Sequence, residues 1–346
     1  MKTTIDDIAR KAGVSKATVS RVLNNRPEGV GPETRSRIKE LILETGFQPS
    51  GFARGLATGK SRSVGLIIPD ITNPFYSQIV RGIEDTLNAA GYSLFLCNSD
   101  RDIKKEKGYI TLLMEKEVDG IILDSAESNC DCQVELLEMN SIPFVLLDRL
   151  VEGSNKRSGV YADNRHGARL AAEILFSRPQ CSLLFLNGPI DLSQSQQRQA
   201  GVEDVFREKG LPESRLRILY SDFTMQGGFQ TITNLLHETG MDPNHKIPPF
   251  SALFAANDLM AIGAMRALKQ AGVSVPEQVE VIGFDDIELA GLVEPPLSTV
   301  FQPSLEMGAR SAALLLQMID GKVLKPKSIT LMPKIVLRGT TRTMNI

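Results

Sequence analysis

The residues best suited to chemistry lie in GVSKATVSRVLNN, positions 13 to 25. At about 100° per residue, Lys16, Ala17, Ser20, Arg21 and Asn24 share one arc of a helix. Thr18, Val19, Val22 and Leu23 share the other. The second arc needs a core. The first offers small, polar and cationic groups to something outside the helix. Such a set makes hydrogen bonds and ion pairs and breaks no covalent bond, so it suits recognition of an anionic surface. Other reactive residues fail on spacing. His166, His237 and His245 have no nucleophile pattern and no metal-ligand spacing around them. GLATGKS, residues 55–61, is one residue short of a phosphate loop and precedes a strand instead of following one. Cys130 and Cys132 have no second Cys or His pair at zinc-finger spacing, so their segment reads as a loop. No catalytic residue, metal ligand or cofactor is expected.

Charge supports an anionic partner for one end of the chain. The whole carries a formal charge of -2, which by itself argues against nucleic acid. The distribution argues otherwise: residues 1–62 hold 12 Lys and Arg against 6 Asp and Glu, and the remainder 27 against 35. A basic head on an acidic body fits a nucleic-acid-binding module joined to a second function. With 346 residues, 42% of them hydrophobic, the chain has material for about two or three domains. Four cysteines do not make a disulfide framework in a chain this long. The N-terminus, MKTTIDDIARKAG, lacks the apolar core of a signal peptide, and no apolar run approaches the ~20 residues of a membrane span. A reducing, cytoplasmic setting is expected.

The elements that must position the polar arc follow from local signals. Thr4 with Asp7 predicts a capping box opening a helix through Ile5, Ile8, Ala9 and Ala12, closed by Gly13. Ser15 caps a second helix from Lys16 to about Leu23. A third begins at Pro32, with Gly31 where a side-chain cap would serve better, and stops at Gly46. Two helices across a tight turn, braced by a third, form a helix-turn-helix. Residues 47–62 form a joint in which Pro49 and Ser50 introduce a short helix, about 51–56. Gly51 and Gly55 leave it marginal without a partner.

From residue 63 the period changes. SVGLIIP, YSLFLC, DGIILD, PFVLLD, CSLLFLNGP, LRILY, SALFAAND and VEVIGFDD read as buried parallel strands. Amphipathic helices at 74–90, 164–177 and 257–271 complete βαβ units, giving two doubly wound sheets of similar size. Ligands of such sheets bind at the carboxyl ends of the strands.

TIDDIARKAGVSKATVSRVLNN, QPSGFARGL, VGLIIPDITNPFYSQIVRGIE, VIGFDD and STVFQP resemble, in this order, the lactose-repressor/galactose-repressor family of bacterial transcription regulators. The resemblance runs from residue 3 to about 340. It implies a helix-turn-helix headpiece (1–48) and a hinge helix with linker (49–62), followed by an α/β core similar to periplasmic sugar-binding proteins. The expected core subdomains are 63–161 with 293–323, and 162–292 with 324–346. It implies a sequence-specific regulator, most often a repressor, acting as a homodimer on operator DNA under a small-molecule effector.

The resemblance also assigns residues. Lys16 and Ala17 match positions that vary with operator sequence. Ser20, Arg21 and Asn24 lie on the same DNA-facing arc, and Arg21 suits a guanine edge. Thr4, Ser15 and Thr18 are candidates for phosphate positioning. Leu56 matches a minor-groove wedge, flanked by Ala53 and Arg54. For the effector the matching positions are Phe75, Tyr76, Arg149, Gln194, Arg198, Phe223, Asn257 and Asp285, with Asp148 beside Arg149. Flat faces with planar polar groups suit a sugar, and a nucleobase uses a similar set. No heptad-bearing tail follows the last strand, which favours a dimer. A transport protein with the same core needs an export signal and no basic head, and an enzyme needs a base–nucleophile pair. This sequence shows the reverse of the first and lacks the second.

Overall fold

The computed structural model describes residues 3–23, 28–47, 60–125, 131–148, 156–178, 180–240, 248–323 and 325–342. The chain divides into two compact units, residues 1–62 and 63–346.

The first unit holds α1 (Ile5–Ala12), α2 (Lys16–Leu23) and α3 (Pro32–Thr45). Each boundary has a local cause. Thr4 and Asp7 exchange bonds: the Asp7 N–H donates to Thr4 Oγ1 at 3.3 Å, and the Thr4 N–H to Asp7 Oδ2 at 3.0 Å. Gly13 closes α1 at φ 64°, a left-handed conformation that costs glycine little. Ser15 Oγ then accepts from the Thr18 N–H at 3.2 Å, opening α2 after a tight turn. Gly31 gives α3 no side-chain cap. The helices close on Ile8, Val19 and Ile38, all fully buried, with Ala12, Val22 and Phe47. Each large side chain buried contributes about 1.5–3 kcal/mol. A core of this size leaves a small domain marginal.

The second unit contains two six-stranded sheets. In chain order its elements begin with β1 (Ser63–Ile68), α4 (Pro74–Ala89), β2 (Ser93–Asn98), α5 (Ile103–Glu115), β3 (Gly120–Leu123) and α6 (Asp131–Met139). They continue with β4 (Phe144–Leu147), β5 (Gly159–Ala162), α7 (Asn164–Leu175), β6 (Leu183–Asn187), α8 (Ser193–Glu208), β7 (Leu216–Tyr220) and α9 (Met225–Glu238). The last are β8 (Ala252–Ala255), α10 (Asp258–Gln270), β9 (Glu280–Asp285), α11 (Glu288–Leu292), β10 (Ser298–Phe301), α12 (Ser304–Ile319), β11 (Ser328–Leu331) and β12 (Lys334–Val336).

The first sheet has the order β11-β5-β4-β3-β1-β2 and the second β12-β10-β9-β8-β6-β7. All pairs are parallel except β10 with β12. Central strands β1, β3, β4, β6, β8 and β9 are buried along their whole length, while edges β2 and β7 are mostly exposed or half-buried. Phe185 on β6 stacks on Phe254 of β8 with centroids 5.0 Å apart, and Phe254 meets Phe284 of β9 at 6.4 Å. This aromatic row ends beneath the site described below.

Twelve strands stand where eight are legible in sequence. The additions β5, β10, β11 and β12 have four residues or fewer. Two of them move the expected subdomain boundaries. β10 pairs with β9, so the chain leaves the second sheet after Phe301, not at 293. β11 pairs with β5, so the first sheet extends to Leu331, not 323. Pro295 and Pro296 end a helix without ending the sheet. The chain crosses between sheets at 162–164, 301–304 and 331–334.

Candidate nucleic-acid interface and ligand cleft

On α2 the two arcs separate as the spacing requires. Val19 and Val22 are buried, Thr18 and Leu23 half-buried, and Lys16, Ala17 and Arg21 exposed, with Ser20 between. Lys16 Nζ lies 2.7 Å from Asp6 Oδ1 of α1. The Arg21 guanidinium folds towards Gly29, where an added Cβ would stand 3.2 Å from its nitrogen. The hydroxyls of Thr4, Ser15 and Thr18 are engaged at the helix starts: Thr4 with Asp7, and Ser15 with Thr18 at 3.0 Å. Asn24, Ala53, Arg54 and Leu56 lie outside the described residues. The result is a short exposed helix face, cationic at Lys16 and Arg21, with small side chains between, narrow enough for a major groove.

In the second unit, one cleft gathers residues that follow strand ends. Phe75 and Tyr76 open α4 after β1, their rings 5.2 Å apart and edge-on. Pro74 at the first turn and Asn73, whose side chain accepts from the Phe75 N–H at 3.1 Å, fix that start. Tyr76 donates its hydroxyl to Asp124 at 2.7 Å, just beyond β3. Asp148 follows β4 and accepts from Gln194 of α8 at 3.5 Å, spanning the two subdomains. Arg101, after β2, donates to the Asp222 carbonyl at 2.6 Å and lies 5.6 Å from the centroid of Phe223. Asn257 caps α10 through its oxygen and donates its amide to the Phe223 carbonyl at 2.9 Å. The lining is thus drawn from both sheets, and the free space is about 30 Å³, room for a water molecule or two.

Arg198 is the centre. Its Nε donates to Asn164 Oδ1 at 2.8 Å, one terminal nitrogen donates to the Ala256 carbonyl, and its plane lies 3.8 Å from the centroid of Phe284. The other terminal nitrogen stops 4.0 Å from Asp285 Oδ1, beyond hydrogen-bond reach. Gln302 donates to the same Asp285 oxygen at 2.7 Å. Burial dominates the electrostatics. It pushes the Asp285 carboxyl up to about 7, against the opposing pull of Arg198 and Gln302. It raises Asp258 in the same direction and lowers Arg198. The oxygens Gln194 Oε1, Ser195 Oγ and Gln302 Oε1 are buried without a hydrogen-bond partner among the described residues. Asp148, Phe223 and Asp285 take positive φ of 59°, 63° and 115°. Three strained residues at one cleft mark a site whose geometry is held by its surroundings.

Of the effector positions expected from sequence, Phe75, Tyr76, Gln194, Arg198, Phe223, Asn257 and Asp285 line this one cleft, and Arg149 lies outside the described residues. Asn73, Arg101 and Gln302 line it too and were not expected, and Asn164 and Asp124 hold its members from behind. All sit within five residues of a strand's carboxyl end, where ligands of such sheets bind, but Gln302 and Asn164 follow β10 and β5, two strands not legible in sequence. Among the described residues no group of His, Cys, Asp and Glu side chains could hold a metal, and no helix is long and apolar enough to cross a membrane.

A helix-turn-helix joined to a two-sheet ligand-cleft core defines a ligand-responsive DNA-binding regulator. Residues 4–50 match the family of bacterial regulatory proteins typified by lacI, and 180–341 a periplasmic binding protein-like domain. The ribose operon repressor of Halalkalibacterium halodurans is 36% identical over 340 residues, spanning 98% of this chain and 97% of its own. The lac repressor dimer, solved bound to operator and the anti-inducer ONPF, superposes with a TM-score of 0.86 at 27% identity, over 99% of this chain and all of that one. A lacI-family regulator from Enterococcus faecium with bound ribose gives 0.71 at 31% identity, over 82% of this chain and all of that one. This chain belongs to the lacI family of bacterial regulatory proteins. It is a DNA-binding transcriptional regulator and not an enzyme.

Proposed function

We propose that the chain is a cytoplasmic repressor, acting as a homodimer, that lays α2 in the major groove of its operator and releases DNA when a sugar enters the cleft. Lys16, Ala17, Ser20, Arg21 and Asn24 read or position; Thr4, Ser15 and Thr18 position phosphates; Ala53, Arg54 and Leu56 serve the hinge. The effector changes the angle between the core subdomains and, through the hinge segments, the order of the Leu56 wedge. It acts only by its different affinity for the two arrangements.

The gap between Arg198 and Asp285 carries the sugar assignment. A hydroxyl placed there accepts from the guanidinium and donates to the carboxylate, satisfying both partners at once. The buried oxygens of Gln194 and Gln302 accept further hydroxyls, and Phe75 and Phe223 supply apolar faces for ring C–H surfaces. The ribose-bound relative and the ribose operon repressor are in keeping with a pentose. Thermal melting against a panel of pentoses, hexoses and nucleobases tests this assignment. A ligand at ~100 times its dissociation constant adds about 2.7 kcal/mol of stability. Stabilisation by a nucleobase and by no sugar would overturn it.

A further inference from the structure

We infer that Asp6 is a specificity-determining residue of DNA recognition in this chain, directing Lys16 to a base edge in preference to a phosphate. The inference rests on the reading of α2 as the DNA-contacting helix.

The two acids in the first turn of α1 do different things. Asp7 closes the capping box and pairs with Arg10 at 2.8 Å. Asp6 reaches across to α2, its Oδ1 2.7 Å from Lys16 Nζ. The two side chains are 49% and 64% exposed, so the pair adds little to folding. Its consequence lies in what Lys16 does at a DNA surface. A lysine is a compact charge on a flexible stem, and the dominant attraction near DNA is the phosphate backbone. Left alone, Lys16 would go there, contributing affinity without sequence. With Asp6 attached its charge is compensated, and a move to a phosphate strands a carboxylate beside the polyanion. An ammonium has three N–H donors. One goes to Asp6, and the others suit the neutral O6 and N7 acceptors of guanine. Lys16 is the first residue of α2, and the start of a recognition helix is the part that faces base edges. Arg21, on the same face, has no ion pair among the described residues, so the restraint is particular to Lys16.

The test compares full-length protein binding to an operator selected from random duplexes and to a scrambled duplex, across a salt series. Asp6→Asn is expected to bind the scrambled duplex about two- to fivefold more tightly at low salt, the scale of one surface ion pair. Its plot of log affinity against log salt should steepen by about one, for one added phosphate contact. Operator affinity should rise less, so the ratio between duplexes falls. Asp6→Glu should keep wild-type discrimination. Glu44→Gln, an equal charge change on exposed α3, should alter neither. Equal gains on both duplexes, an unchanged slope, or the same result from Glu44→Gln would overturn the inference. Wild-type protein that binds neither duplex would overturn the DNA reading itself, and this inference with it.

Discussion

In the proposed reading the headpiece and the cleft both recognise with charged side chains, under opposite conditions. On α2 the charged groups are exposed, the pairs are screened by water and salt, and the supporting core is a handful of apolar residues. In the cleft the guanidinium of Arg198 and the carboxylate of Asp285 are buried, gripped by backbone and amide partners, and framed by strained backbone. The difference follows from the ligands. A polyanion is met by many weak, ion-sensitive contacts on a surface that can adjust. A small polar molecule is met by few contacts, each strengthened by low dielectric and already aimed. One consequence is that changes in the cleft should cost folding as well as binding, while changes on α2 should cost binding alone.

Arg198→Ala is the largest break. It strands the Asn164 and Ala256 acceptors, removes the stacking plane on Phe284 and leaves Asp285 facing no cation. The core should lose about 3 kcal/mol in denaturant melts, and the effector response should vanish. An unchanged melt would show that burial does not grip the guanidinium. Arg21→Ala should cost about 1–3 kcal/mol of operator affinity and leave both melting transitions in place. A matching loss of stability would erase the contrast.

The place of the cleft was legible in sequence because ligands of such sheets bind after the strands, and strands show as apolar runs; its individual residues came from the family resemblance. Asp285 stands out as a charge closing the apolar run of β9, whereas Arg198 sits in a polar helix and was assigned by the family resemblance. Gln302 and Asn73 do not stand out, since an amide near a strand end is indistinguishable by type from a loop residue. β10 was illegible because it opens on Ser298 and Thr299 and shows no continuous apolar run, and β11 and β12 because they are half-exposed sheet edges mixing polar and apolar residues. The headpiece was legible almost to the residue, since capping box, Gly13 and Gly46 are local signals needing no tertiary context. The Asp6–Lys16 pair was not, because two helices must fold before those side chains meet.

Acidity sharpens the contrast further. Burial pushes the native Asp285 carboxyl up to about 7, from the ordinary aspartate value of 3.8. Between those values the native state holds a proton that the unfolded state has shed, so stability should fall as pH rises through that window and level off above it. Asp285→Asn should flatten the slope in urea melts, leaving the part due to Asp258. Sugar affinity should rise over the same range, since a hydroxyl donates to the ionised carboxylate. A slope that survives unchanged in Asp285→Asn would place the titrating group elsewhere. The smallest effect belongs to Thr4→Ala, which removes the α1 cap and should cost the headpiece about 1 kcal/mol by local hydrogen exchange, without altering the core.

The most direct measurement is reciprocal: the operator dissociation constant with and without the stabilising sugar, and the sugar's dissociation constant with and without operator. Coupled recognition requires the two ratios to be equal, with the operator affinity falling steeply as salt rises. Protein that ignores duplex DNA at low ionic strength, or whose DNA affinity is the same with the cleft filled or empty, would contradict the account.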